Sequence, residues 1–370
     1  MAEELILDGS KILWHQERLE QWKKGERIAP ITIDMALTQA CQYNCVFCYA
    51  NMQRNKPHKI TMPIMKNFLD DCSEIGVKGI SLVSDGESTA NPIYEDVIVY
   101  GKSVGIDMAI ATHGNTLSEN VLRKILPALT YLRFNFSAGT PQRYSEIMGV
   151  PVEKYYETCE NIKMAMRIKK ELNLDVTIGM QMVLMPKDGD QIIPLAKLGK
   201  ELKPDYLVIK HCSDDEDGTL GVDYDAYEEL YDLLKEAESY SDDDYLVKAK
   251  WSKITSKGKR DYHQCYGTPF HLQMSGTGLI TPCGSFFNEK YKQYHIANIV
   301  DKGVRFKDIV KSDRYWEVMD FLASPKFDAC TMCETLCLQD KTNEVLDTYK
   351  KGKHNLEQPT KEFPDHLNFI

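Results

Sequence analysis

Cys41, Cys45 and Cys48 fall within one short stretch, Leu37-Thr38-Gln39-Ala40-Cys41-Gln42-Tyr43-Asn44-Cys45-Val46-Phe47-Cys48-Tyr49. Thiolates are the characteristic ligands of iron–sulfur clusters, which take four of them when fully ligated. Three on so tight a loop reach three corners of an iron–sulfur cube and leave the fourth iron open. An open coordination position marks a reactive metal site rather than a structural one. A second group, Cys265, Cys283, Cys330, Cys333 and Cys337, also has ligand-like spacing. Cys72, Cys159 and Cys212 stand alone. Cys72 and Cys159 lie in helix-like stretches and Cys212 follows a strand; a lone cysteine reads as a small buried hydrophobe.

The triplet follows an alternating run, Ile31–Leu37, that reads as a strand. Further strand-like runs are Gly79–Ser84, Asp107–Thr112, Tyr131–Ser137, Asp175–Leu184 and Asp205–Lys210, with helix-like stretches near 62–75, 92–104, 118–128, 152–172 and 190–202. This alternation predicts an α/β fold with a parallel sheet or barrel. Ser118 is placed to cap its helix, and Pro92 reads as early in its own. Residues 214–260 are acidic at both ends, Asp214-Asp215-Glu216-Asp217 and Ser241-Asp242-Asp243-Asp244, and read as a solvated linker with one helix. The expected organisation is an N-terminal helical extension (1–30), an α/β domain (31–213), this linker (214–260), a cysteine-rich module (261–340) and a tail (341–370). The apolar end of the tail, Leu367-Asn368-Phe369-Ile370, is expected to dock back on the body. Trp14–Trp22 reads as an amphipathic helix in which His15 is part of the packing.

The spacing C-x3-C-x2-C, with Phe47 just before the last cysteine, resembles the signature of the radical S-adenosylmethionine (SAM) superfamily. The resemblance implies a partial (β/α)6 barrel with ligands at the carboxyl ends of its strands. It also implies a [4Fe-4S] cluster whose open iron binds the amino and carboxylate groups of SAM. Reductive cleavage of SAM then yields methionine and a 5′-deoxyadenosyl radical that abstracts a substrate hydrogen. Ser84-Asp85-Gly86-Glu87-Ser88-Thr89 resembles the family's Gly-Gly-Glu motif, with Asp85 where the first glycine usually stands. Gly86 and Glu87 are thereby assigned to the amino group of SAM; the competing reading is an ordinary Asp-Gly turn. His113-Gly114-Asn115 resembles the family's Thr-Asn-Gly strand end, which places His113 and Asn115 near the cofactor. The same resemblance sets Asn135 and Ser137 near the ribose and carboxylate, against the alternative of an internal hydrogen-bond network. Gly179 corresponds to the close backbone approach to adenine, with Val208 and Ile209 flanking it.

The arrangement from Cys265 through Gly278 and Cys283 to Cys330-Thr331-Met332-Cys333 resembles the SPASM and twitch extensions of radical SAM enzymes, which carry auxiliary [4Fe-4S] clusters. Five cysteines suffice for one such cluster, with Cys265, Cys283, Cys330 and Cys333 as the expected ligands and Cys337 able to replace one. A structural Zn(Cys)4 site is the alternative. Gly278 is expected to permit the hairpin that returns Cys283 toward Cys265.

A radical enzyme with an auxiliary cluster oxidises its substrate by two electrons. About thirty residues precede the first strand, too few for a separate leader-peptide domain. The offset between Cys265 and Cys283 resembles the small-molecule dehydrogenases. A sugar, nucleotide sugar or aminocyclitol is therefore expected as substrate. Epimerisation is an open variant, and a peptide maturase of the sulfatase-maturing or natural-product type is the alternative. Arg143, Lys210 and His211, with Gln181, are weak acid–base candidates by their position near strand ends. An electron donor such as flavodoxin or ferredoxin is implied.

Composition is consistent with this class. The net charge of −10 over 370 residues gives no basic footprint for nucleic acid. No apolar run approaches a membrane span. Met1-Ala2-Glu3-Glu4 lacks a secretory pattern, so a cytoplasmic location is expected, where eleven cysteines are ligands or core residues rather than disulfides. A non-enzymatic zinc-binding interaction protein is the remote alternative.

Overall fold

A computed structural model describes residues 6, 8–52, 60–215, 217–333, 337 and 339–370; the N-terminal tetrapeptide and Glu216 lie outside the described residues. The strands are β1 (Thr32–Met35), β2 (Gly79–Leu82), β3 (Asp107–Thr112), β4 (Leu129–Asn135), β5 (Thr177–Leu184), β6 (Tyr206–His211), β7 (Leu246–Ala249), β8 (His271–Met274), β9 (Leu279–Thr281) and β10 (Ala297–Asn298). Each of the six expected strands is present, within a few residues at either end.

The chain divides into two compact units. One comprises residues 41–50 and 109–259. In it β4, β5, β6 and β7 are hydrogen-bonded neighbours in that order, all parallel. Register sets Asn135 beside Gln181 and Val183 beside Lys210. Alternation then puts Arg133, Asn135, Gln181 and Lys210 on one face. The opposite face carries Phe134, Phe136 and Met180, and Phe136 packs on Tyr144 and Tyr155 of the helices Pro141–Met148 and Glu153–Glu171. Strand β7 and the helix Pro141–Met148 have no counterpart in the sequence reading. The acidic stretch 214–260 is therefore more than a linker, since Leu246–Ala249 pairs with β6 through buried Val247 and Ala249.

The other unit comprises residues 3–40, 51–108 and 260–370. Its strand order is β10-β9-β8-β1-β2. β8 lies parallel to β1, Thr32 opposite His271, and turns back antiparallel as β9. The second cysteine group is thus built directly onto the first strand of the expected domain. The helix Met62–Ile75 starts with a proline in its first turn and ends at Gly76, whose φ of 84° suits only glycine well. Ser118 caps its helix as expected, through Val121 N, whereas Pro92 stands two residues before the helix Tyr94–Ser103.

The apolar tail does dock. Thr32 Oγ1 donates to Asn368 O at 2.7 Å, and Asn368 Nδ2 donates to Asp107 Oδ2 at 2.7 Å. A Cβ at Gly79 would meet the Asn368 carbonyl. Thr32, Gly79 and Asp107 are the first residues of their strands, so the tail covers the amino ends, opposite the ends where parallel α/β folds bind ligands. At the N-terminus, Trp14–Trp22 is split at His15 into a 3-10 turn and the helix Gln16–Lys23. His15 Nε2 lies 3.1 Å from Leu367 O, so it does belong to the packing.

Candidate functional site

The cysteine loop leaves β1 and is braced from within its own unit. Asn44 N donates to Met148 O and Val46 N to Ile147 O, at the end of the helix Pro141–Met148. That helix stops at Gly149 with φ 64°, where any Cβ would strike the Asn44 carbonyl. Tyr43 stacks on His113 with ring centroids 4.0 Å apart and planes 1° from parallel. Asn115 N donates to His113 Nδ1, so the ring proton sits on Nε2, which lies 3.1 Å from Gln42 Oε1 and donates to it. His113 therefore holds the cysteine loop through the residues between Cys41 and Cys45. Asn115 instead donates its side-chain amide to Glu157.

The turn after β2 is fixed in the other unit. Gly86 has φ 92°, and a Cβ there would meet Thr38 O and the Gln39 backbone. Glu87 N donates to Ala40 O at 2.9 Å, immediately before Cys41. Glu87 is buried, and its Oε1 accepts from Thr89 N and Oγ1. Asp85, the departure from the family pattern, is buried too. Its carboxylate accepts from Gln39 Nε2 (2.7 Å), Ser275 Oγ (2.6 Å) and Gly276 N (2.8 Å). Burial pushes its pKa up, and these three donors work against that shift. A bare Asp-Gly turn needs none of these contacts.

Other expected cofactor residues have internal partners. Gln181 Nε2 donates to Asn135 Oδ1 at 3.1 Å, and Ser137 Oγ accepts from Val183 N. A Cβ at Gly179 would run into the Tyr206 ring, so this glycine makes room for a side chain of the neighbouring strand. Of the acid–base candidates, Arg143 is committed to carboxylates. It pairs with Glu146 (2.8 Å), Asp188 (2.8 Å) and Asp190 (3.0 Å), and the bond to Asp190 leads in raising its pKa. His211 is buried with neither ring nitrogen hydrogen-bonded among the described residues, and burial keeps it neutral. It lies on the face opposite Lys210, whose side chain shares the Asn135–Gln181 face.

The second cysteine group converges. Gly278, at φ 85°, makes the β8–β9 turn, and Cys283 follows β9 into a buried cluster with Cys333, Tyr262 and Leu322. Cys265 and Cys337 pack against that cluster. Asn343 Nδ2 reaches both of their sulfurs, at 3.4 and 3.6 Å, while its Oδ1 accepts from Tyr266 N and Gly267 N. Burial pushes the Cys283 thiol up to about 12 and raises that of Cys265 as well, with the neighbouring sulfurs adding to both. A metal bound among thiols so placed would hold them deprotonated. Burial works against the Arg260 charge, but Cys333 and Cys337 beside it outweigh that cost and raise its pKa.

Cys330 is not part of this convergence. It is exposed, and its sulfur lies 3.6 Å from the carbonyls of Arg260 and Tyr262. The structure thus brings Cys337, rather than the expected Cys330, to Cys265, Cys283 and Cys333. Thiolates on one tetrahedral zinc lie about 3.8 Å apart at a Zn–S length of about 2.3 Å. No three of these four sulfurs lie within 4.8 Å of one another, nor do those of Cys41, Cys45 and Cys48.

Residues 35–198, which include the cysteine loop and the Glu87 turn, match the model of the radical SAM superfamily. These residues form a radical SAM domain. The chain is 24% identical over 218 residues to the AdoMet-dependent heme synthase of Methanosarcina barkeri, covering 57% of this chain and 60% of that protein. It is 19% identical over 327 residues to the tungsten-containing aldehyde ferredoxin oxidoreductase cofactor-modifying protein of Pyrococcus furiosus, covering 85% and 89%. Its fold is similar to that of Streptococcus suis SuiB bound to S-adenosylmethionine, with TM-score 0.63 and 16% identity over 96% of this chain and 81% of that one. The cofactors of the radical SAM domain are a [4Fe-4S] cluster and SAM, and three thiols on one short loop are the donor type such a cluster takes.

Sequence reasoning missed Asn343 and Arg260. Each lies far in the chain from the cysteines it serves, and neither stands in a spacing pattern that marks a ligand. The anchoring of Asp85 was equally hidden, because Ser275 lies 190 residues away.

Proposed function

We propose that this radical SAM enzyme oxidises a small hydroxylated substrate, such as a sugar, nucleotide sugar or aminocyclitol, with one auxiliary [4Fe-4S] cluster. Cys41, Cys45 and Cys48 would hold the SAM cluster, and Cys265, Cys283, Cys333 and Cys337 the auxiliary one. When bound, these groups supply a radical that takes a hydrogen atom from the substrate and an acceptor for the electron left behind. The chain's own residues position them. Gly86 opens the turn after β2, and buried Glu87 would accept from the ammonium of SAM. His113 and Tyr43 hold the cysteine loop, and Asn343 orients two auxiliary sulfurs. Lys210 and Gln181 share a strand face with Asn135 and are the side chains we assign to the substrate side.

The observation that carries this reading is the meeting of Cys265, Cys283, Cys333 and Cys337 around Asn343, which supports a fully ligated and therefore electron-transferring centre. The heme synthase and the cofactor-modifying protein are named for a small molecule and a cofactor, which is compatible with a small substrate. A reductant of flavodoxin or ferredoxin type completes the proposal.

The test is anaerobic reconstitution followed by incubation with SAM, dithionite and deuterated pools of sugars, nucleotide sugars or peptides. Methionine and 5′-deoxyadenosine are expected, with deuterium entering 5′-deoxyadenosine from the sugar pools. Deuterium arriving from the peptide pool alone would replace this substrate class with a peptide maturase. A colourless, zinc-only protein would end the enzymatic reading altogether.

A further inference from the structure

The loop carrying Cys330 brings three different metal donors to one point. A ring nitrogen of His263, an Asp328 carboxylate oxygen and Cys330 Sγ all lie within 4.8 Å of one another, the one such set among the described residues. His263 Nδ1 is 2.9 Å from Asp328 Oδ1, and Cys330 N donates to that same oxygen at 3.0 Å. The main chain holds the two segments together, since Ala329 N donates to His263 O at 2.6 Å. The donors therefore meet because their backbones are bonded, not because long side chains happen to reach. Two of the three are exposed, so an ion has an open path and water can complete its coordination.

We propose that His263, Asp328 and Cys330 form a mononuclear site for a divalent ion of borderline softness, zinc or ferrous iron, distinct from the auxiliary cluster. Imidazole nitrogen and thiolate sulfur select such ions and disfavour magnesium and calcium, which take oxygen ligands. A tetrahedral zinc needs its donors about 4 Å apart or less, a contraction of under about 1 Å from the spacing found. Three protein ligands with a fourth position left to water is the pattern of an open rather than a structural zinc site. In binding, the ion displaces the ring proton between His263 and Asp328, which passes through solvent to His263 Nε2, and the Cys330 thiol releases its own proton to solvent.

This site also accounts for a C-x2-C pair whose two members part company. Cys333 turns inward to Cys283, while Cys330 turns outward to His263. The inference does not depend on radical chemistry, because zinc and iron are counted separately.

The reconstituted, cluster-loaded protein is passed over chelating resin, equilibrated with about 10 μM zinc, and its metals counted by mass spectrometry. One zinc per chain is expected in addition to the cluster iron. His263→Ala and Cys330→Ser should each weaken zinc binding by about 100-fold or more, beyond the effect of losing an outer-sphere partner, with iron unchanged. Unchanged iron also shows that the variants fold. Absence of zinc from the wild type, or its retention in both variants, would overturn the site. So would loss of about four irons from Cys330→Ser, which would make Cys330 a cluster ligand.

Discussion

Asp85 Oδ2 accepts a hydrogen bond from Ser275 Oγ at 2.6 Å, and Asp85 Oδ1 another from Gly276 N. Asp85 precedes the Gly86-Glu87 pair, and Ser275 opens the β8–β9 turn whose second strand leads to Cys283. One buried carboxylate therefore ties the turn assigned to SAM to the hairpin that positions an auxiliary thiol. A glycine at this position, as in the usual family motif, offers no such anchor.

Asp85→Ala removes three hydrogen bonds and leaves the Ser275 hydroxyl proton and the Gly276 N–H without their acceptor in a buried place, at about 1–3 kcal/mol for each orphaned donor. SAM dissociation constants of the reconstituted protein should rise by about tenfold or more, while Asp85→Asn should lose less because one amide oxygen still accepts. Equal SAM affinity in wild type and Asp85→Ala would separate this carboxylate from the cofactor.

Asn343→Leu leaves the Tyr266 and Gly267 amides without their acceptor and two sulfurs without their donor. The substitution should lower the thermal midpoint and release auxiliary iron, taking the count from about eight toward four per chain. Full iron retention would mean that Asn343 serves the chain turn and not the sulfurs.

Arg260 places a positive charge beside Cys333 and Cys337, which favours the more negative, reduced form of any cluster they hold. Arg260→Met should shift the auxiliary potential down by about 60 mV, the one-electron equivalent of a tenfold equilibrium change. A redox titration followed by electron paramagnetic resonance reads this directly; an unmoved potential would place the guanidinium too far away to matter.

Much of this arrangement was legible in the residues themselves. β1 to β6 announced themselves as short apolar runs between helical periods, and the two cysteine groups by spacing. The helix Pro141–Met148 is short and mixed in character, so its period is barely expressed. β7 hides between charged residues because only Val247 and Ala249 are buried. β8 was masked for another reason: His271-Leu272-Gln273-Met274 sits in the cysteine-rich segment, yet pairs with β1 more than 230 residues earlier. Which cysteines meet was not legible either. Spacing favours Cys330 through its C-x2-C pair with Cys333, and only the packing around Asn343 brings Cys337 in its place.

Lys11 is buried, donates to His366 O at 2.9 Å, and has its pKa lowered to about 7 by burial. Between about pH 7 and the ordinary lysine value near 10.4, the unfolded chain binds a proton that the folded one does not. Stability therefore rises with pH in this window, at up to about 1.4 kcal/mol per unit from this one group. Comparing thermal midpoints of wild type and Lys11→Met from pH 7 to 10 isolates it: the wild type should gain on the variant as pH rises. Parallel profiles would show that Lys11 stays charged in place.

The central claim is that two separate sets of thiols hold two clusters, and iron counting after anaerobic reconstitution tests it most directly. Wild type should carry about eight irons per chain, and Cys337→Ala about four, with cleavage of SAM to 5′-deoxyadenosine retained in part. Cys41→Ala should also fall to about four and lose cleavage entirely. About four irons in the wild type, or about eight in Cys337→Ala, would contradict the account.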